Sequence, residues 1–160
     1  MTVYLVRHGQ AGSRASYRGH DDRERRLTRG GRHQAADLVE VLGEPGFAVS
    51  QIRSSPFRRC IEMVAPLGAA LGLEVLIDES LAEGPGDNAL DLVRRLWGSG
   101  AVLCSHGDVI PFLLDALRRS DQLDLGHEPR CQKGSIWVLE AASSPGHFSQ
   151  ARYIAPPRSR

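Results

Sequence analysis

At 160 residues, 41% of them hydrophobic and 24% charged, the chain can bury one core without disulfide or metal staples and is too short to suggest a second domain. A net charge of +1 gives no general reason to expect nucleic acid or an anionic membrane as partner, and no apolar run approaches the roughly 18 residues of a membrane span. The three cysteines, Cys60, Cys104 and Cys131, are odd in number and widely spaced, which excludes a disulfide framework or zinc knuckle; Cys60 and Cys104 read as core thiols. With no basic leader ahead of the first apolar run, the expected location is the cytoplasm.

In chain order, Val3 to Val6 reads as a strand and is followed by Arg7-His8-Gly9 and a polar loop from Gln10 to Arg26. Thr28 predicts a helix N-cap. Ala35, Leu38, Val39 and Leu42 recur at helical spacing, and Gly43 with Pro45 closes that element. Val49 to Ser54 reads as a second strand. Pro56 suits the first turn of the next helix, whose stripe Cys60, Val64, Leu67 and Leu71 ends at Gly72. Glu74 to Ile77 is a third strand, and Asp78 to Asp87 a loop. Asn88 is expected to open a helix buried through Ala89, Leu92, Val93 and Leu96 and ended by Gly98 and Gly100. Ala101 to Ser105 is a fourth strand, carrying His106 and Gly107 at its end; Asp108 then caps a helix through Arg118. Ser135 to Glu140 is a strand with Phe148 to Ile154 as its partner.

Alternating strands and helices predict an α/β fold, a three-layer α/β/α sandwich around a mainly parallel sheet. It would form a single domain over residues 1–154, with a frayed tail at 155–160. Neither GxGxxG nor GxxxxGK[ST] is present, so no dinucleotide or P-loop site is indicated. Ligands of open α/β sheets bind beyond the carboxyl ends of the strands, where Arg7, His8 and His106 would gather. Lys133 is the only lysine, and seven arginines, Arg14, Arg18, Arg23, Arg25, Arg26, Arg29 and Arg32, crowd one segment. They form either a solvated face offset by Asp21, Asp22 and Glu24 or a basic rim for a phosphorylated substrate.

Phosphoryl transfer requires a nucleophile, donors for the phosphoryl oxygens and a proton for the leaving group. A neutral imidazole, guanidinium forks and a carboxyl group meet those needs. Val3-Tyr4-Leu5-Val6-Arg7-His8-Gly9, Leu27-Thr28-Arg29-Gly30-Gly31 with Gln34-Ala35, Ser54-Ser55-Pro56-Phe57-Arg58-Arg59 and Leu103-Cys104-Ser105-His106-Gly107 resemble, in order, four signature segments of the histidine phosphatase superfamily, the phosphoglycerate mutase-like branch 1. The resemblance implies a phosphoglycerate mutase-like fold and a metal-independent phosphatase without cofactor, in which His8 is transiently phosphorylated and Arg7, Arg59 and His106 hold the phosphoryl oxygens. It also implies a catalytic acid after the third strand: Glu83 fits best, with Glu79 as its rival and Asp108 third. Gln10, Arg14 and Gly107 are further candidate substrate contacts.

Arg58 reads as a solvent-facing helix residue, and His33, His127 and His147 as surface histidines; His20 follows His8 closely enough to touch substrate. Ser55 and Ser105 are expected to support the pocket, since no GxSxG elbow surrounds either. Many family members follow the RHG signature with Glu-Thr and then Trp-Asn, whereas Gln10-Ala11-Gly12-Ser13-Arg14 stands here. This loop resembles the compact subgroup of phosphohistidine phosphatases and Nudix-linked phosphatase domains. The short interval from Arg59 to His106 leaves little room for a mutase cap, so hydrolysis is preferred to phosphoglycerate-type mutase chemistry. The expected substrate is a small phosphorylated metabolite or nucleotide, or a phosphohistidine protein; a non-catalytic phosphate-binding module is the non-enzymatic alternative.

Overall fold

The structure is a computed structural model that describes residues 1–19, 21–127 and 130–158. Six strands form one sheet: β1 (Thr2–Arg7), β2 (Gln51–Ser54), β3 (Val75–Ile77), β4 (Ala101–Ser105), β5 (Ile136–Ala141) and β6 (Phe148–Ile154). Their order is β3-β2-β4-β1-β5-β6. The β2–β3, β2–β4 and β1–β4 pairs are parallel, and β5 is antiparallel to both β1 and β6. Only β5 therefore opposes the common direction, which makes the sheet mixed but mainly parallel.

Strand periodicity sorts the core into two layers. Val3 and Leu5 of β1, Ala101 and Leu103 of β4, and Trp137 and Leu139 of β5 pack on one face with α3 (Asp87–Arg95) and α4 (Val109–Asp121). The alternate residues Tyr4, Val6, Val102, Cys104, Ile136 and Val138 pack on the other with α1 (Arg29–Leu42) and α2 (Arg58–Leu71). All five residues of β4 are buried, as expected of a strand covered on both faces. Cys60 and Cys104 lie in this core.

Several boundaries differ from the sequence reading. Thr28 does cap α1, its hydroxyl accepting from Gly31 N at 3.1 Å. At α2 the cap position falls to Phe57, so Pro56 precedes the helix rather than standing in its first turn; Ser55 Oγ accepts from Phe57 N at 3.2 Å and fixes the bend. Helix α3 opens at Asp87 after Gly86, not at Asn88. Helix α4 continues three residues past Arg118, and Asp108 before it makes no capping bond. Its carboxylate accepts from Gly84 N at 3.0 Å instead, tying two loops together. The two polar loops are not featureless: Asp22–Glu24 and Glu79–Leu81 each form a single 3-10 turn, capped by the side chains of Asp21 and Asp78. Residues 159 and 160 of the expected tail, and His20, lie outside the described residues. Among the described residues no helix is long and apolar enough to cross a membrane.

Candidate active site

The neighbouring parallel strands β1 and β4 end together, with Arg7 in register with Ser105. His8 N donates to Ser105 O at 3.2 Å, so the residues that follow emerge side by side. The His8 and His106 rings consequently stand 5.4 Å apart, at 66° to each other. From β2 the chain turns through Ser55 into α2, whose second residue, Arg59, enters the same space. A cleft of about 690 Å³ opens above these strand ends, lined among others by Arg7, His8, Arg59, Glu83 and Gly107.

His8 is 5% exposed. Its Nδ1 lies 2.7 Å from Gly9 O; a carbonyl can only accept, so Nδ1 carries the hydrogen and Nε2 keeps its lone pair. Burial lowers the pKa of this histidine from 6.5 to about 3; the Gly9 bond works the other way, while His106, Arg59 and Arg7 lower it further. The imidazole is neutral at any physiological pH.

Arg59 is wholly buried. Its Nη2 donates to Glu83 Oε1 at 2.7 Å and meets Asp22 Oδ2 at 3.2 Å, its Nη1 donates to Asp22 O at 3.0 Å, and the guanidinium covers the Phe57 ring at 4.8 Å. A guanidinium cannot shed its proton to escape burial, so it persists as a cation only with such partners. Desolvation pushes the Asp22 carboxyl up, but the Arg25 hydrogen bond and the charges of Arg59, Arg25 and Arg14 outweigh it and hold Asp22 below the usual carboxylate range.

Arg7 is braced differently. Its Nη1 donates to Cys131 O at 2.6 Å, and a Cβ built on Gly107 would fall 2.6 Å from its Cζ, so the glycine is the space the guanidinium occupies. His106 is 1% exposed; its Nε2 lies 2.8 Å from Ser55 Oγ and its Nδ1 3.5 Å from Glu83 Oε1. Glu83 Oε1, an acceptor, faces Nδ1 and favours the ring proton there, the tautomer in which Ser55 Oγ donates to Nε2. Arg7 Nε, Arg59 Nε and His106 Nδ1 are buried without a hydrogen-bond partner among the described residues. Three orphaned donors on residues gathered at the ends of β1 and β4 and the start of α2 suit an anion with several acceptor oxygens.

Of the three candidate acids, Glu83 and Asp108 line the cleft, whereas Glu79 is exposed and paired with Arg23 at 3.4 Å. Arg14 also lines it, its Nη2 donating to Glu83 Oε1 at 3.1 Å. Gln10 is not brought in: it lines a separate depression with Gly30, His33 and Gln34. The reason is the close packing of the loop after His8 on α1, where Gln34 Oε1 takes Gln10 N at 2.7 Å and any side chain at Gly31 would overlap Gln10 O. Arg18, His33, His127 and His147 are exposed, Arg58 pairs with Glu24 at the surface, and Ser105 Oγ donates to Leu81 O at 2.7 Å beneath the cleft.

Two cations at the cleft escaped the sequence reading of the site. Arg25, one of the crowded arginines, is 8% exposed, its Nε donating to Asp22 Oδ1 at 2.8 Å and its Nη1 to Gly12 O. Lys133 comes from the segment between α4 and β5, outside the motifs, and lines the same cleft. Its signal was compositional: a single lysine among nineteen arginines.

Residues 3–88 match the model of the histidine phosphatase superfamily (branch 1). An 8-oxo-(d)GTP phosphatase from Mycolicibacterium smegmatis is 33% identical over 165 residues, covering 98% of this chain but 48% of that protein, so the chain spans about half the length of this relative. The solved structure of the protein histidine phosphatase SixA complexed with tungstate superposes with a TM-score of 0.73 at 19% identity, over 97% of this chain and 95% of that one. A mycobacterial glucosyl-3-phosphoglycerate phosphatase in complex with VO3 gives 0.70 at 22% identity, over 99% of each chain. At those identities the likeness speaks for the fold. More than half of the chain matches the family model, and the elements carrying its motifs end at one cleft; the protein belongs to branch 1 of the histidine phosphatase superfamily.

Proposed function

We propose that this chain is a metal-independent phosphatase that hydrolyses phosphomonoesters or related phosphoryl compounds through a phosphohistidine on His8. The observation that carries the reading is the neutral His8, whose free Nε2 shares a cleft with two guanidiniums. Arg7, Arg59 and the Nδ1–H of His106 take the three non-bridging phosphoryl oxygens. Nε2 attacks phosphorus and the bond to the leaving oxygen breaks, with the bonding pair departing on that oxygen. Glu83 supplies the proton; Arg59 and Arg14 hold its Oε1 at 2.7 and 3.1 Å, while Oε2 meets Arg14 alone, at 3.4 Å, and is the less engaged oxygen to carry it. Water then attacks phosphorus, Glu83 takes the water's proton, and the N–P bond breaks to restore neutral His8. The fixed cations stabilise the charge of the transferring group without reorganising.

Arg14 over the cleft favours a small polyanion, a phosphorylated metabolite or nucleotide, over a phosphohistidine protein. The 8-oxo-(d)GTP phosphatase activity of the relative is consistent with the nucleotide choice. Three free cysteines accord with a cytoplasmic setting. The test is phosphate release from an aryl phosphate and from a nucleotide panel in EDTA, with acid-labile protein phosphorylation followed in parallel. Wild type should turn over and become labelled, and His8→Ala should do neither. Activity lost in EDTA, or retained by His8→Ala, would overturn the mechanism.

A further inference from the structure

The phosphoryl group has three non-bridging oxygens, and Arg7, Arg59 and His106 already supply a donor for each. Five cations nevertheless line the cleft: Arg7, Arg14, Arg25, Arg59 and Lys133. Glu83, Asp108 and the adjoining Asp22 oppose them, but Glu83 and Asp22 are already engaged by Arg14, Arg25 and Arg59, so that Lys133 has no carboxylate of its own among the described residues.

Of the three cations outside the clamp, Arg14 is paired with Glu83, Arg25 is held through its buried side chain, and the exposed Lys133 is held through its backbone. Lys133 O accepts from Gln34 Nε2 at 2.9 Å, and the next residue, Gly134, donates its N–H to Arg7 O and His8 O, both at 3.1 Å. The backbone of Lys133 is thus fastened to the nucleophile's own strand end. Its ammonium has no partner among the described residues. Burial, then the charges of Arg7, Arg25 and Arg59, bring its pKa below the ordinary 10.5. A cation that other cations repel, on a fixed backbone, is relieved by a bound anion. Arg25 commits Nε to Asp22 and Nη1 to Gly12 O, and its Nη2 remains uncommitted among the described residues.

We infer that Lys133 and Arg25 form a second anion subsite, which takes the penultimate phosphate of a substrate whose terminal phosphoryl group is presented to His8. The preferred substrate class is then a phosphoanhydride, a nucleoside di- or triphosphate, in place of a simple monoester. In the step this implies, the His8 Nε2–P bond forms at the terminal phosphorus while its bond to the bridging oxygen breaks. The electron pair leaves on the shortened nucleotide, and water releases orthophosphate from His8. The inference rests on the phosphatase reading for its chemistry but not for its binding.

Equilibrium binding of GMP and GDP to the His8→Ala protein isolates the second phosphate, because the two ligands differ in nothing else. GDP should bind about tenfold more tightly, the scale of one charge-assisted contact. Adding Lys133→Met should bring the two affinities within about twofold, and Lys133→Arg should restore most of the preference. In wild type the kcat/KM ratio of GDP to GMP should fall with Lys133→Met by the same factor. Equal affinities in His8→Ala, or a preference that survives Lys133→Met, would overturn the subsite. If the preference behaves as expected but wild type releases no phosphate, the subsite stands and the catalytic reading falls.

Discussion

As the proposed nucleophile, His8 has to be buried and yet reactive, and one hydrogen bond reconciles the two. Removing an imidazole from water favours its neutral form, and Gly9 O then decides which nitrogen keeps the proton. Replacing the nucleophile with Ala should lower kcat by about four orders of magnitude or more, as loss of a covalent nucleophile does elsewhere, with phosphate release as the readout. The same burial has a stability consequence. Folded His8 titrates near 3 and the unfolded residue near 6.5, so between those values the unfolded chain binds a proton that the folded chain refuses. The contribution is complete above pH 6.5 and is lost as pH falls towards 3, with a slope of at most about 1.4 kcal/mol per pH unit. Urea melts between about pH 7 and 5 should show His8→Asn losing less stability than wild type over that range. Beside it, Gly107→Ala would drive a methyl group into Arg7 Cζ. The expected result is a loss of about ten- to a hundredfold in kcat/KM with a near-unchanged melting temperature.

Among the elements, α4 ends on a carboxylate that fastens two others and the turn before β6. Asp121 has a side chain 1% exposed and receives Arg94 of α3 through both oxygens at 3.2–3.3 Å, the N–H of Phe148 on β6 at 2.8 Å and His147 at 3.2 Å. Burial raises its pKa, but the Arg94, Ser120, Phe148 and His147 bonds prevail and bring it down to about 2. Asp121→Ala leaves Arg94 with only Gly146 O and Ser120 Oγ, removes the acceptor of the Phe148 N–H, and should cost about 1–3 kcal/mol in denaturant melts. Since the folded pKa lies below the unfolded 3.8, this support is present above pH 3.8 and is lost only as pH falls towards 2. Local signals made most elements readable: Thr28 caps α1, the stripe from Cys60 to Leu71 marks α2, and Gly72 ends it at φ +67. The two 3-10 turns were not readable, because each is a single turn set by an Asp side chain and carries no hydrophobic period.

At the scale of the molecule the net charge is +1, yet five of the cations face one cleft. Steering should therefore be local and salt-sensitive. Raising NaCl from about 50 to about 300 mM should lower kcat/KM for an anionic substrate several-fold while leaving kcat nearly constant. The arrangement behind that field is topological. Strand β4 inserts between β2 and β1, so residues almost a hundred positions apart, His8 and His106, become neighbours, while Glu83 reaches both His106 and Arg59 from the loop after β3.

The chain by itself determined what is local or carried by a motif: the strand and helix alternation, the α1 cap, and the candidacy of Arg7, His8, Arg59 and His106. Those signals reside in a residue and its near neighbours, where periodicity and capping chemistry act. Tertiary structure alone decided that Glu83 and not Glu79 faces His106, that Gln10 packs away on α1, and that Arg25 and Lys133 meet at the cleft. Each depends on the direction of a side chain across long-range contacts, and strand order sets that direction where no local pattern records it.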